Sequence, residues 1–314
     1  MPRGIVLPMG EKPFGLLELG SNSLKFYLVE VAPGGGHTIK THKFPWRIAH
    51  DFFSTGRIGD TTVLEMLATI RGVEKIAEGV PLASMLAVAT GVFRELPDIT
   101  ALAGRVKGEA GIRLRVITGE DEARLMAKGF PAQEHKGSVL LCDLGGATTE
   151  WAWIQDGAAR GWGSLPLGAI RNEYRFRKLK ADADSYLKES RKQCDTALER
   201  LKVAPATAVM ATGGTARAAS AVAGRTSVPI EDLRQLAERV LRDGPPADLR
   251  PERQAVLLPG LIILERICTR CGAEALEYAQ TSVRDGMAER LIHLLGSYRR
   301  QDLHSTLLLH TRSL

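Results

Sequence analysis

Apolar residues in the first part of the chain follow two different periods. Apolar and β-branched residues at 14–17 and 24–31 predict two strands joined by a short turn that contains Gly20. From residue 61 to 79 the apolar positions recur with the helical period and predict a helix. The other elements expected before residue 131 are a strand at 85–90, a helix at 96–110, a strand at 112–118 and a helix that begins near Gly119 with an acidic first turn.

The same order of elements begins again after the polar segment at 131–138. A buried strand leads into a glycine turn at 145–149, and another strand follows. The remaining elements are helices at 181–202, 230–243, 252–271 and 284–297 and strands at 207–212 and 275–281. Because both halves begin with a strand, a glycine turn and a strand, we predict two similar α/β domains, residues 1–132 and 133–314, with the last helix packing back on the first.

Composition agrees with two globular domains and indicates in which cellular compartment to expect the protein. Of the 314 residues, 44% are hydrophobic and 25% are charged, which is enough apolar material for two cores. No apolar run reaches the roughly 18–20 residues of a membrane helix, and the first ten residues lack the apolar block of a secretory signal. We therefore expect a cytoplasmic protein without a membrane partner. The formal net charge of +6 indicates an anionic partner without naming it.

The four cysteines, Cys142, Cys194, Cys268 and Cys271, are expected to be free thiols, because disulfides are rare in the cytoplasm. Cys268 and Cys271 have the C-x-x-C spacing, but a zinc site needs two further ligands at a suitable distance. The pattern around them is helical. Burial is therefore favoured over a metal or redox role.

Three predicted strands end in turns of glycine, serine and threonine. The turns begin at Gly20, Gly145 and Gly213 and read GSNS, GGATTE and GGT. Glycine lets the backbone approach a ligand closely, and successive N–H groups in such turns form anion-binding concavities. Acids precede the first two turns, at Glu18 and Asp143, which suits a divalent cation or a water beside a phosphate. A plain hairpin would explain any one turn, but the repetition favours a phosphate site.

The common nucleotide-binding and metal-binding patterns do not occur. The sequence contains neither G-x-x-x-x-G-K-[ST] nor G-x-G-x-x-G. The seven histidines have no metal-ligand spacing and are expected to be ordinary surface or loop residues.

A wider resemblance connects these turns. ELGSNSLKFYLVEV, VATGVFRELPD, VITGEDEARLMAKGF, CDLGGATTEW, SLPLGAIR and ATGGTARA resemble, in order, the motifs of the exopolyphosphatase / guanosine pentaphosphate phosphatase family, between residues 14 and 295. The resemblance implies the acetate/sugar kinase, Hsp70 and actin superfamily, with two ribonuclease-H-like domains flanking a central cleft. It also implies Mg²⁺-dependent hydrolysis of the terminal phosphate of inorganic polyphosphate or guanosine pentaphosphate. The chain is as short as the two-domain members, so no accessory domain is expected.

Positions that match the family's motifs acquire roles by this resemblance. The implied catalytic residues are Asp121, Glu18 and Glu150, and Asp143 with Glu150 is the implied Mg²⁺ ligand pair. The implied phosphate-binding residues are Gly20, Ser21, Asn22, Ser23, Arg94, Gly145, Gly146, Thr148, Gly213, Gly214 and Thr215. Arginine can grip a phosphate with two hydrogen bonds, and carboxylates are Mg²⁺ ligands, so the chemistry agrees with these roles. The serines of the first turn are expected to donate to phosphate rather than act as nucleophiles.

Three positions depart from the family's pattern. Glu18 stands where aspartate is usual, Asp121 where the general base is usually glutamate, and Ala147 where the second turn usually has glycine. We hypothesise that Asp121 activates a water while the longer Glu18 reaches across the cleft to make up the lost distance. Asp121→Asn and Glu18→Gln should then each lower phosphate release, and Glu122 is the next candidate base. Because a misplacement of about 1 Å costs on the order of 10²-fold, a reduced activity is one expectation.

A basic run at 171–180 supplies part of the excess positive charge. Arg171, Arg175, Arg177 and Lys178 form either a solvated helical face or a track that holds polyphosphate beyond the cleaved end. Tyr174 lies between them, and aromatic side chains can stack on bases. Aromatic residues are only 5% of the chain and no nucleic-acid-binding motif occurs, so a nucleic-acid partner is not expected.

Three functions remain open from the sequence. The motifs and the basic run favour an exopolyphosphatase, and the same turns would serve a guanosine pentaphosphate phosphatase. The third is a regulator that binds polyphosphate or a nucleotide and whose chemistry has decayed, which the three departures permit. A sugar or acetate kinase is disfavoured by the G-S-N-S and A-T-x-x-x-R patterns. Apolar faces of the C-terminal helices are compatible with a homodimer or with closure of the core.

Overall fold

The structure, a computed structural model, describes residues 14–31, 37–76 and 85–280 together with Gly286. Within them the chain divides into two compact units, the first ending at Asp121 and the second beginning at Glu122. The predicted helix at 284–297 lies outside the described residues apart from Gly286, and so does its predicted packing on the first domain.

The first unit follows the predicted succession of strands and helices. Its elements are β1 (Phe14–Leu19), β2 (Ser23–Val31), β3 (His37–Pro45), α1 (Ile48–Thr55), α2 (Asp60–Ile76), β4 (Met85–Ala89), a short 3₁₀ helix (Gly91–Glu95), α3 (Ile99–Ala110) and β5 (Leu114–Val116). The strands form one sheet in the order β3-β2-β1-β4-β5. The pairs β3-β2 and β2-β1 are antiparallel, whereas β1-β4 and β4-β5 are parallel.

The second unit begins inside the next helix. Its elements are α4 (Gly119–Lys128, shared with the first unit), a 3₁₀ turn (Ala132–Glu134), β6 (Ser138–Leu144), β7 (Thr149–Gln155), β8 (Ala158–Leu165), α5 (Ala169–Phe176), a 3₁₀ turn (Arg177–Leu179), α6 (Ala183–Leu198), β9 (Ala208–Thr212), α7 (Gly214–Ala223), β10 (Ser227–Pro229), α8 (Ile230–Asp243), α9 (Pro251–Cys271) and β11 (Ala275–Tyr278). The sheet order is β10-β11-β9-β6-β7-β8.

The two sheets repeat one topology. In the second sheet β6-β7 and β7-β8 are antiparallel and β6-β9 and β9-β11 are parallel, so β6, β7, β8, β9 and β11 take the places of β1 to β5. The second sheet adds only β10 at its edge, antiparallel to β11. Three antiparallel strands continued by two parallel ones are the ribonuclease-H-like arrangement. The predicted fold class of two such α/β domains is therefore confirmed.

Helix α9 organises the core of the second unit. Nearly all of its residues from Val256 to Ile267 are buried, and it packs against α5, α6, α7 and α8. A helix that is apolar on most of its circumference is typical of a central position. The beginning of α9 is thereby held beside α7, which follows the third glycine turn.

The cysteines agree with an expectation from the sequence. All four cysteines are buried and free, as predicted. Burial raises the pKa of Cys194 to about 12 and that of Cys271 to about 11, so these thiols are poor nucleophiles. Within the described residues, no helix has the length and apolar character needed to cross a membrane.

Several features of the fold were not predicted, including the edge strand β10. The short helices α1 and α7 were not expected, and α4 belongs largely with the second unit, so the units divide before the predicted boundary at 132/133. On α4, the Arg124 guanidinium stacks over the ring of Trp162 in β8, 5.3 Å from its centroid. Helices as short as α1 owe their stability to tertiary contacts, which periodicity does not report.

Candidate functional site

The first glycine turn presents its N–H groups on one side. The carbonyl of Gly20 accepts from Trp46 Nε1 at 2.8 Å, that of Ser21 from the Ala49 N–H at 3.1 Å, and that of Asn22 from the Trp46 N–H at 3.3 Å. In a trans peptide the N–H points away from the preceding carbonyl. The N–H groups of Ser21, Asn22 and Ser23 therefore point away from the side on which these carbonyls are bonded, as in an anion-binding nest.

The Ser21 side chain makes a structural hydrogen bond that could not be predicted from its motif. Its hydroxyl oxygen is buried and accepts a hydrogen bond from the Val92 N–H at 3.0 Å. This contact ties the first turn to the 3₁₀ helix that carries Arg94. A role for Ser21 in binding phosphate remains a prediction, but the contact with Val92 shows that the hydroxyl also positions the turn.

Glu18 lies beside the turn and is engaged within its own sheet. Its Oε1 accepts from Lys25 Nζ at 2.6 Å and its Oε2 accepts from the Tyr27 hydroxyl at 2.7 Å, and the residue is only 5% exposed. Burial opposes ionisation of this carboxyl, but Lys25, Tyr27 and the charge of Lys43 outweigh it and lower the pKa. The carboxylate is thus turned toward β2, and the hypothesis that Glu18 reaches across the cleft stays a prediction.

The second glycine turn repeats the construction of the first. The Gly145 carbonyl accepts from the Ala169 N–H at 3.0 Å, and the Gly146 carbonyl accepts from the N–H groups at the start of α5 at 2.9 and 3.0 Å. The Ala147 carbonyl accepts from Arg171 Nε at 2.7 Å. The N–H groups of Gly146, Ala147 and Thr148 consequently point to the opposite side. Both units therefore contain a turn whose carbonyls are anchored at the start of a helix.

Gly168 is the residue that lets α5 approach the second turn, because a Cβ at this position would overlap the backbone of Gly146 and Ala147. We expect Gly168→Ala to displace the turn and to lower the melting temperature by several degrees. Gly104→Ala in α3 is the matched control, since nothing lies within 4 Å of its added methyl, and alanine should stabilise that exposed helix slightly. Thermal unfolding of both variants tests this. Equal melting temperatures would contradict the close approach.

A row of polar side chains crosses the second sheet directly before the turn. Asp143 on β6 is paired with Glu150 on β7, Glu150 with Ser164 on β8, and Asp143 with Thr212 on β9. We call these four residues the second-sheet row. Glu150 is 3% exposed, and its Oε1 accepts from the Ser164 hydroxyl at 2.7 Å. Directly opposed carboxylates repel each other, so the row suits a cation that both of them face.

The third glycine turn follows β9 and has a conformation that requires glycine. Gly213 has φ of +95°, and a Cβ there would lie 2.9 Å from Asp143 Oδ1. The turn is thus brought against the second-sheet row at the N-terminus of α7. The buried Thr215 packs against α9, where a Cβ on Gly260 would lie 2.6 Å from its hydroxyl oxygen. Thr215 therefore has a packing role, and its role in phosphate binding stays a prediction.

Arg253 is a residue of this site that the sequence analysis missed. Its guanidinium lies so close to Gly214 that any side chain there would overlap it. Burial and the neighbouring Arg217 and Arg250 lower the pKa of Arg253, and among the described residues no acceptor bonds its buried Nε. A cationic group next to the N-terminus of α7 is suited to an anion. In the sequence, only its place in the first turn of the predicted helix at 252–271 could have drawn attention to it.

Arg94 and Asp121 belong to the first unit. The Arg94 guanidinium lies 3.5 Å from the carbonyl of Ile117, just before the segment that leads to Asp121. Asp121 Oδ2 accepts from the Thr118 hydroxyl at 2.7 Å, and the Asp121 N–H donates to Thr118 Oγ1 at 3.0 Å. Asp121 therefore occupies the first turn of α4 in an arrangement that also caps the helix. Its predicted role as general base stays a prediction.

The residues of the predicted basic track have different surroundings. Arg171 supports the second turn through Ala147, whereas Arg175, Arg177 and Lys178 are exposed at the end of α5 and in the following 3₁₀ turn. The Arg177 guanidinium stacks on Tyr174, 4.3 Å from the ring centroid. The exposed cations remain candidates for contact with a long anion, whereas the Nε of Arg171 is committed to the second turn.

Comparison with known proteins identifies the family of the chain. The profile of the Ppx/GppA phosphatase family matches residues 28–294. Exopolyphosphatase 1 of Mycobacterium bovis is 27% identical over 307 residues, covering 88% of this chain and 87% of that protein. The solved structures of the Aquifex aeolicus Ppx/GppA family member and of an exopolyphosphatase from Cytophaga hutchinsonii share the fold, with TM-scores of 0.73 and 0.77 at 19% and 18% identity. Each covers 90% of this chain and 98% of the matched chain. The chain therefore belongs to the Ppx/GppA phosphatase family.

Proposed function

We propose that this protein is an exopolyphosphatase that hydrolyses the terminal phosphate of inorganic polyphosphate with the help of Mg²⁺. The observation that carries the proposal is the second-sheet row, in which Asp143 and Glu150 face each other beside a turn whose carbonyls are anchored on one side. Paired carboxylates beside oriented N–H groups are suited to a phosphate accompanied by a divalent cation. The relatives named as exopolyphosphatases support the same substrate.

The residues present fit Mg²⁺. This ion is usually held by one or two carboxylates and completes its octahedral shell with waters and phosphate oxygens. The proposed ligand pair is Asp143 and Glu150, which are paired across β6 and β7. Within the described residues, no group of three or more His, Cys, Asp and Glu side chains is arranged for a metal. Bound to this pair, Mg²⁺ would supply positive charge against the oxygens of the transferred phosphoryl group.

The protein's own groups would position the substrate and the water. The N–H groups of the second turn and the Arg253 guanidinium would hold phosphate oxygens, because charge-assisted hydrogen bonds to phosphate are short and strong. We retain Asp121 as the proposed base that removes a proton from the attacking water. Its carboxylate is already oriented by Thr118 and so has little freedom to lose. Catalysis of this kind depends on placement and charge rather than on a covalent intermediate.

The basic run gives polyphosphate an advantage over a nucleotide. Arg175, Arg177 and Lys178 are exposed near the end of α5 and could bind phosphates beyond the terminal one. A guanosine pentaphosphate phosphatase would use the same turns and remains the alternative substrate assignment. The alternative that is not an enzyme is a regulator that binds polyphosphate without hydrolysing it.

The deciding experiment measures release of inorganic phosphate with Mg²⁺ from long-chain polyphosphate, guanosine pentaphosphate and ATP. We expect the highest kcat/KM with polyphosphate and a loss of turnover when the metal is chelated. A higher kcat/KM with guanosine pentaphosphate would replace the substrate assignment. No turnover with any of the three, together with measurable binding of polyphosphate, would identify a regulator.

A further inference from the structure

The acid before the first glycine turn has different neighbours from its counterpart in the second unit. Glu18 and Asp143 both stand two residues before the first glycine of their turns, on the first strand of equivalent sheets. Glu18 is paired with Lys25 on β2, Lys25 with Lys43 on β3, and Glu18 with Val88 on β4. We call these four residues the first-sheet row.

The two rows therefore differ in charge at the same positions. In the second-sheet row the acid faces another acid, whereas in the first-sheet row it faces a lysine with a second lysine beyond. The partners within its own sheet neutralise Glu18, whose carboxylate forms an ion pair with Lys25. We assign no metal to Glu18 for this reason, and its role has to be one that an internally paired carboxylate can perform.

Tyr27 completes the environment of this carboxylate. It is two residues beyond Lys25 on β2, so its side chain lies on the same face of the sheet. The ring is 1% exposed, and the hydroxyl donates to Glu18 Oε2 while Lys25 holds Oε1. With one oxygen fixed by each partner, the carboxylate cannot rotate. Each oxygen still has a lone pair for one further donor, and a Cβ on Gly20 would lie 3.8 Å from Oε1.

We propose that Tyr27 is a positioning residue of the phosphatase reaction, which fixes the Glu18 carboxylate beside the first turn, and that this tyrosine is matched to glutamate rather than aspartate. The inference rests on the proposed function. An aspartate would withdraw the carboxylate by one carbon–carbon bond, about 1.5 Å, which would break the 2.7 Å contact with the tyrosine hydroxyl. Glu18, which departs from the family's usual aspartate, and Tyr27 thus act as a pair. The remaining lone pairs of the Glu18 carboxylate would orient the water that Asp121 deprotonates.

The test is a double-mutant cycle of Tyr27→Phe and Glu18→Asp. The phenylalanine keeps the buried ring and removes only the hydroxyl. We expect Tyr27→Phe to lower kcat with polyphosphate by roughly 10- to 100-fold, because about 1 Å of misplacement costs on the order of 10²-fold, while KM changes less than about twofold. In the Glu18→Asp background the same substitution should change kcat by less than about twofold, because the contact no longer exists.

A matched control separates positioning from the general effect of removing a buried hydroxyl. Tyr186 in α6 is fully buried in the second unit, and Tyr186→Phe should leave kcat and KM unchanged. An equal loss of kcat from Tyr27→Phe in both backgrounds would overturn the proposal, because the tyrosine would then act independently of Glu18. An unchanged kcat of Tyr27→Phe in the wild-type background would overturn it as well.

Thermal unfolding gives a readout that does not depend on turnover. Tyr27→Phe should lower the melting temperature by a few degrees in the wild-type background and not at all in Glu18→Asp. Additive shifts would overturn the matching of Tyr27 to Glu18. If the wild-type protein releases no phosphate from any substrate, the proposed function fails, while the unfolding cycle still decides whether the tyrosine and the glutamate act together.

Discussion

Replacing Asp143 with asparagine is expected to lower the release of phosphate from polyphosphate by about 10²- to 10⁴-fold, because charge stabilisation by a bound metal contributes several kcal/mol. Asparagine keeps the shape of the side chain and removes its charge, so the loss would report the carboxylate of the second-sheet row. Glu150→Gln should give a loss of the same order. Both are measured as kcat/KM over a series of Mg²⁺ concentrations.

Mg²⁺ should also raise the melting temperature of the wild-type protein, since a ligand that binds only the folded state stabilises it. This increase should be absent from Asp143→Asn and Glu150→Gln. Asp184→Asn, the same chemical change on the exposed surface of α6, is the control and should keep both the activity and the increase. If Asp143→Asn retained the Mg²⁺-dependent shift and the wild-type rate, the row would not be the metal site.

The second large effect is expected at Arg253. Arg253→Met should weaken binding of polyphosphate by roughly 10- to 100-fold, because a hydrogen bond to a charged group contributes about 1.5–3 kcal/mol. In the absence of ligand the substitution should cost little stability. Partial burial and the charges of Arg217 and Arg250 lower the pKa of Arg253, and methionine removes this desolvation cost and this repulsion. Binding is measured by titration calorimetry with polyphosphate and with inorganic phosphate.

Gly214→Ala tests the same contact from the other side. The added methyl would overlap the Arg253 guanidinium, so this variant should lose affinity for polyphosphate to a similar extent. Arg242→Met at the end of α8, where the arginine side chain is 72% exposed, is the control for loss of one positive charge. Equal affinity of Arg253→Met and Arg242→Met would show that only net charge matters and would contradict a specific site at the third turn.

Much of the fold could be predicted because its signals are local. The helix predicted at 230–243 is observed as Ile230–Asp243, and the one predicted at 252–271 as Pro251–Cys271, since apolar positions with a helical period span their whole length. α7 gave no such signal, because it is short, begins with glycine and consists mainly of small residues. Its start depends on the positive φ of Gly213 and on packing of Thr215 against Gly260.

In the candidate site, too, only the features encoded by consecutive residues could be predicted. The three glycine turns and the acids before the first two are consecutive in sequence, so their motifs were recognisable. The position of Arg253 was not, because it comes from a helix that begins 37 residues after Gly214 and reaches the turn only through the path of α9. The support of the second turn by Arg171 likewise depends on how closely α5 approaches at Gly168.

The sequence by itself determined that the protein has two similar α/β halves, where their strands and glycine turns lie, and which acids precede the first two turns. These properties depend on the order of neighbouring residues, and periodicity and turn chemistry report that order directly. Only the tertiary structure decided what each acid faces. Strand register placed Asp143 opposite Glu150 but Glu18 opposite Lys25, with Tyr27 on the remaining oxygen. Because side-chain partners across a sheet are set by register and not by sequence distance, two similar motifs acquired different cross-strand partners.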